Sequence, residues 1–268
     1  MQVPLLRRAC VSLSTGALTA ALLVLTPVAP TAQAVAPPQP ARTAVEPLNI
    51  LLLGDSYSAG NGATNEDGEA ETYGPSGCFR SRVNWTEKYA AALRDQGSVV
   101  TVENRACSGG RAADFIAPRE LDTASDSTET PAGVTTLEQA DAYLAEEDFC
   151  NTQAFPDEEF WTYEATSIDA DTIDYDCTRT LRPQADFVTP DVDLVLFTMG
   201  GNDAGFTNIV TQCFILKSGS GCKGTIDTAR GLLPEIRQLL LDGIAGIRAA
   251  GLREDAKIVQ LGYPYLQT

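Results

Sequence analysis

Leu48-Asn49-Ile50-Leu51-Leu52-Leu53-Gly54-Asp55-Ser56-Tyr57-Ser58 is the stretch on which the fold turns. Leu48 and the run Ile50, Leu51, Leu52, Leu53 form a short apolar segment closed by Gly54, the pattern of a buried strand. Working outward, residues 85–96 have helical spacing and stop at Gly97, and residues 99–102 read as a second strand. Residues 192–198 (VDLVLFT) read as another buried strand, ending at Met199-Gly200-Gly201. Residues 226–250 are helical in spacing despite Pro234, and residues 257–261 (KIVQL) form a last strand running into Gly262. Strands alternating with helices predict an α/β domain with a mainly parallel sheet in three layers. In such sheets the chemistry sits beyond the carboxyl ends of the strands.

The amino terminus speaks to compartment. Arg7 and Arg8 precede an apolar run that is followed by Ala32-Gln33-Ala34, an A-x-A cleavage pattern, so residues 1–34 read as a secretory signal peptide. The run is interrupted by Ser12, Ser14, Thr15, Gly16 and Thr19 and falls short of the roughly 20 apolar residues a span needs, so no stable membrane anchor is expected. Cys10 lies before the run, on the wrong side for lipid attachment. Residues 35–47 carry prolines at 37, 38, 40 and 47 without apolar periodicity and read as an extended linker. The folded domain is expected to span 48–268. Without Cys10, six cysteines remain in an exported chain: Cys78, Cys107, Cys150, Cys177, Cys213 and Cys222. Three disulfides are expected. The spacings do not choose the connectivity; pairing of sequence neighbours (78 with 107, 150 with 177, 213 with 222) is the expectation. A zinc site needs closer ligand clusters and usually histidine.

The 268 residues contain 36 acidic and 19 basic side chains, and losing Arg7 and Arg8 leaves 17 basic ones and a net charge of −19. Nucleic acid and anionic lipid are poor partners for such a chain. Half of the acidic residues fall in residues 114–176, where Arg119 is the only basic residue, which marks an acidic, solvent-facing insertion at about 114–190.

Three of the expected strands lead into small-residue turns that bear polar groups. The first, Gly54-Asp55-Ser56-Tyr57-Ser58, sets a hydroxyl at the start of a helix, whose N–H groups point at developing negative charge. The second, Ala106-Cys107-Ser108-Gly109-Gly110, offers a glycine N–H that nothing screens. The third, Gly200-Gly201-Asn202-Asp203, supplies a neutral side-chain amide. Ser56 is therefore the candidate nucleophile, with the N–H of Ser56, the N–H of Gly109 and the amide of Asn202 as oxyanion donors. Acyl transfer through a tetrahedral intermediate requires that set, and each donor is worth about 3 kcal/mol of barrier.

These residues resemble the SGNH (GDSL) hydrolases. Gly54-Asp55-Ser56 is similar to the first motif block, Gly109 to the glycine of the second, and Gly200-Gly201-Asn202-Asp203 to the G-x-N-D of the third; GDSYSAGNG and ACSG most resemble actinobacterial secreted lipases and esterases. The resemblance covers residues 48–110 and 192–261. It implies a flavodoxin-like α/β/α sandwich, a carboxylic ester substrate (a lipid or an acylated glycan), no cofactor or metal, a secreted monomer, and an acyl-enzyme on Ser56. The family takes its general base from a D-x-x-H motif near the carboxyl terminus, and this sequence has no histidine. The chain stops seven residues after its last apolar strand, where the family continues, so the expectation is a piece of a longer protein with its histidine beyond Thr268. The alternative is a catalytically inactive module of the same fold that binds lipid or acylated glycan.

Other motifs read blandly. Lys88, Lys217, Lys223 and Lys257 lie near no nucleophile motif, which disfavours a Ser-Lys pair. Asp169, Asp171, Asp174 and Asp176 fail the EF-hand pattern, which needs glycine where Asp174 stands, and read as an acidic surface. Asn84-Trp85-Thr86 fits a glycosylation sequon but reads as the start of a helix. Phe160, Trp161 and Tyr163 read as the small core of the insertion. The first turn lacks the second glycine of the α/β-hydrolase G-x-S-x-G, and Gly60-Asn61-Gly62 has no phosphate-loop continuation.

Overall fold

The computed structural model describes residues 46–150 and 155–264; the expected signal peptide and nearly all of the linker lie outside them. The elements in chain order are β1 (Leu48–Gly54), α1 (Ser56–Ala59), the short strands β2 (Thr72–Tyr73) and β3 (Arg80–Ser81), α2 (Trp85–Asp95) and β4 (Val100–Asn104). A 3-10 turn (Ala112–Phe115) leads to β5 (Arg119–Glu129), α3 (Leu137–Glu147), β6 (Glu159–Ile168) and β7 (Thr172–Leu181). A second 3-10 turn (Gln184–Phe187) returns to β8 (Leu194–Thr198), followed by α4 (Phe206–Val210), a π turn (Thr211–Ile215), α5 (Gly219–Ala249) and β9 (Lys257–Gln260).

The main sheet has the order β4-β1-β8-β9, and all its pairings are parallel. Numbered by appearance within that sheet, this is the 2-1-3-4 order of a flavodoxin-like fold. β1 is buried on both sides because successive side chains alternate between faces. Leu51 and Leu53 pack with Val195, Phe197 and Ile247 on the face covered by α5 and the two 3-10 turns. Ile50 and Leu52 pack with Ala90, Val100 and Leu196 on the face covered by α2. Each such side chain contributes roughly 2 kcal/mol by leaving water.

Local chemistry sets the helix ends. Asn84 caps α2, its Oδ1 accepting the N–H groups of Thr86 (3.0 Å) and Glu87 (3.1 Å) while its amide donates to the Ser81 carbonyl (2.8 Å). This asparagine is buried, which explains the sequon as a helix start. α5 begins seven residues before the expected 226, because Ser218 accepts the Gly221 N–H (3.1 Å) as a cap and the Cys213–Cys222 disulfide fixes the first turn. The other disulfides are Cys78–Cys107 and Cys150–Cys177, so sequence neighbours pair as expected.

Within the acidic segment, residues 119–181 build a separate antiparallel sheet of order β5-β7-β6. Ile173, Tyr175 and Cys177 of β7 point toward α3, where Ala140 and Leu144 complete a small core joined by Trp161 and Tyr163. The other face carries Asp174 and Asp176, with Ser125 and Ser167 bonded to them across the strands. Asp169 accepts the N–H groups of Asp171 and Thr172 (both 2.8 Å) and so closes the β6–β7 hairpin. Among the described residues no group of three or more His, Cys, Asp or Glu is placed to hold a metal ion. The segment is joined to the rest of the domain by Glu158, which meets Arg80 of β3 (2.5 Å) and Arg105 after β4 (2.6 Å), and by Arg179, which donates to the Ser76 carbonyl (2.9 Å) while pairing within its own sheet with Glu159 (3.1 Å) and Asp122 (2.7 Å). The ends of the segment belong to the main core, where Phe115, Ala185 and Val188 pack with Leu53.

Candidate active site

In the main sheet β1 lies between β4 and β8, so the chain order reverses direction at β1. Ligands of open α/β sheets bind in the crevice at such a switch point. Ser56 follows β1 and Asn202 follows β8, which sets them on the two sides of that crevice.

The turn after β1 is held by several independent bonds. Gly54 has φ +118°, and a Cβ there would lie 2.3 Å from the Thr198 carbonyl oxygen. Only glycine lets β1 pass so close to β8 in that conformation. The buried Gln184 side chain clamps both backbone groups of Gly54, accepting its N–H (2.6 Å) and donating to its carbonyl (2.9 Å). The same carbonyl accepts the Cys107 N–H (3.0 Å), which ties the first turn to the second.

Asp55 caps α1. Its Oδ1 accepts the Tyr57 N–H (3.1 Å) and the Thr198 hydroxyl (2.8 Å), and its Oδ2 accepts the Tyr263 hydroxyl. Thr198 in turn accepts the Ser58 hydroxyl (2.9 Å), and its N–H donates to Ser58 Oγ (2.8 Å). Asp55 is 2% exposed, and both its carboxylate oxygens are occupied in holding this turn together, so it is a positioning group. The Ser56 hydroxyl takes no part in the network. Ser56 is the first residue of α1, where the N–H groups of the first turn have no intrahelical acceptor. It lines a cavity of about 300 Å³ together with Tyr57, Asn61, Gly201, Asn202, Phe206 and Tyr263.

The turn after β8 is pinned to the turn after β4. Asn202 donates one amide hydrogen to the Gly110 carbonyl (2.7 Å), and the Asp203 carboxylate accepts the Ala112 N–H (3.1 Å). The amide has a second hydrogen. Its geometry is thereby fixed while one donor stays available to the cavity. Gly109, with φ +80°, lines a different cleft of about 490 Å³ with Ser108, Arg119 and Arg179. The structure therefore brings Ser56 and Asn202 to one cavity and sets Gly109 on another. Arg119 donates to the Ser108 carbonyl (2.9 Å) and approaches Asp114 at 3.3 Å. Burial pushes the Asp114 carboxyl above the ordinary carboxylate range, with the Arg111 N–H and the Arg119 charge acting in the opposite direction.

Tyr263 was not singled out from the sequence. Its hydroxyl donates to Asp55 and accepts the Gly201 N–H (3.0 Å), and its ring sits where a Cβ on Gly201 would come within 3.0 Å. Burial, then the Asp55 contact, raise its pKa far above the usual tyrosine value, so it stays protonated and is no base. Gln184 and Thr198 were also missed. A polar residue in a 3-10 turn and a threonine at a strand end carry no local signal of this role. Gly262-Tyr263 did carry one, because it follows the fourth parallel strand just as the other turns follow theirs.

No protein-family model matches the chain, and no curated protein matches it. Among solved structures it is similar to an extracellular lipase from Streptomyces rimosus, at 23% identity and TM-score 0.46, over 81% of this chain and 60% of that one. It is similar to phospholipase A1 from Streptomyces albidoflavus at 22% identity and TM-score 0.44, over 82% of this chain and 61% of that one. A lipase from a goat rumen metagenome matches at 14% identity and TM-score 0.23, over 79% of each chain. The chain thus spans about three fifths of the length of the two Streptomyces proteins.

Proposed function

We propose that this chain carries the nucleophile and oxyanion half of a secreted serine ester hydrolase of the SGNH type. The observation that supports this most is the meeting of Ser56, at the start of α1, with the anchored amide of Asn202 in one cavity at the switch point. Ser56 Oγ attacks an ester carbonyl, and its proton passes to a base. The oxyanion is held by the N–H of Ser56 and the free amide hydrogen of Asn202; the N–H of Gly109, which lines a different cleft, is the third donor that the motif resemblance implies. Collapse expels the alcohol, which takes up a proton, and water then hydrolyses the acyl-enzyme. The substrate is a lipid or an acylated glycan, and the three disulfides fit an oxidising, extracellular compartment. Neither Asp55 nor Tyr263 is free to act as the base, and the 268 residues contain no histidine. Turnover therefore depends on a base from outside this cavity's residues.

The test is hydrolysis of p-nitrophenyl butyrate by the protein expressed from its full reading frame. Ser56→Ala is expected to abolish turnover, and Asn202→Ala to lower kcat by about 10²–10³ with KM little changed. Unchanged turnover in Ser56→Ala would sink the assignment. The missing histidine favours one second reading, an inactive module that binds lipid or acylated glycan. That reading requires ligand binding with no burst from any activated ester.

A further inference from the structure

Beyond the Ser56 cavity, the least expected surface is the tip that follows the π turn. Ile215 is 69% exposed and Leu216 60%, the most exposed large apolar side chains among the described residues. The tip is rigidly presented. The Cys213–Cys222 disulfide closes it, Leu216 N–H donates to the Thr211 carbonyl (2.8 Å), and Ser218 N–H donates to the Gln212 carbonyl (2.9 Å). Such a clip leaves little conformational entropy to lose on contact with a partner.

Its charge setting is equally distinct. Residues 204–226 contain no carboxylate in a chain that has 36, and they contain Lys217 and Lys223. Lys223 pairs with Asp227, which leaves Lys217 as the cation beside Ile215 and Leu216. The same segment starts at Phe206, which is 44% exposed and lines the Ser56 cavity. Ten residues of helix separate Phe206 from Leu216, at most about 15 Å along the axis. An apolar point with a lysine beside it, in a segment that has no acidic residue and also supplies Phe206 to the cavity, matches the boundary between acyl chains and phosphate headgroups.

We infer that Ile215, Leu216 and Lys217 dock this protein on a phospholipid bilayer and so hold the Ser56 cavity at the lipid–water boundary. Ile215 and Leu216 enter the acyl region while the Lys217 ammonium meets headgroup phosphates. A net charge of −17, or −19 once Arg7 and Arg8 are lost, repels anionic membranes as a whole, so the matching surface is zwitterionic. The benefit to catalysis rests on the ester hydrolase reading; the docking itself does not.

The experiment is co-sedimentation of the full-length protein with sucrose-loaded phosphatidylcholine vesicles. The native protein is expected to partition onto them. Ile215→Asp/Leu216→Asp is expected to lower partitioning at least tenfold and Lys217→Glu by a few fold, with circular dichroism and melting temperature unchanged. Hydrolysis of a water-soluble short-chain ester is expected to be unaffected in both variants. Failure of the native protein to sediment overturns the inference, as does equal sedimentation of the double variant. Light scattering that finds a native dimer turned into a monomer by the double substitution also overturns it, since a second copy then covers the tip. Vesicle binding without ester hydrolysis supports the docking and counts against the hydrolase reading alone.

Discussion

β1 and β5 are strands of the same molecule with opposite surroundings. In β1 the five residues from Ile50 to Gly54 are all buried, whereas in β5 none is buried. Packing on two faces removes freedom from β1, and Ser56 follows it after a single residue. The antiparallel sheet packs one face on α3 and gives the other to water, so its outer positions are free to be acidic. Ser56 therefore follows a strand with little room to move.

That contrast sets the expected order of effects. Gly54→Ala drives a Cβ into the Thr198 carbonyl at an unfavourable φ and is expected to cost about 4–5 kcal/mol or more in urea unfolding. A loss under about 1 kcal/mol would mean that the turn has slack. Glu158→Ala leaves the buried Arg80 without its carboxylate and is expected to cost about 3–4 kcal/mol. If the variant is as stable as the parent, the ion pairs do not fasten the insertion. Replacing Cys150 and Cys177 by Ala opens a loop of 27 residues and should cost about 3 kcal/mol in urea unfolding.

Two tyrosines sharpen the same comparison, one in each region. Tyr163 of the insertion donates to Asp148, and burial followed by that contact pushes its pKa up to about 12. Tyr263 of the site is raised in the same direction. A raised folded pKa means the contribution is complete below the ordinary value near 10. It is lost as pH climbs from there through the folded value, because the unfolded chain releases its proton first. Stability should therefore fall between about pH 10 and 12, and Tyr163→Phe should remove part of that slope. Ultraviolet titration should show Tyr163 and Tyr263 ionising late, each late step vanishing in its own Phe variant. At the small end, Ser125→Ala on the outer face of the insertion should change stability by no more than about 0.5 kcal/mol.

What the sequence made legible follows the same division. β1, α2, β4, β8 and β9 were readable within a few residues, because strands buried on both faces and a capped amphipathic helix have strong local patterns. The insertion was visible by charge, but its three-stranded sheet was not, since β5 reads RELDTASDSTE with scarcely an apolar residue to mark a face. Its strand character comes from pairing with β7, a contact about 55 residues away in sequence. Ser56 and Asn202, which line one cavity, stand in turns that the sequence itself marks. Gln184 and Thr198 do not, because their roles exist only once β8 and the 3-10 turn lie against Gly54.

The most direct test of the central assignment is covalent labelling of the protein from its full reading frame by a fluorophosphonate, read by peptide mass spectrometry. The expected result is one adduct, on Ser56 in the peptide that joins β1 to α1, lost in Ser56→Ala and strongly slowed in Asn202→Ala. An adduct on another residue, or none at all, would contradict the account.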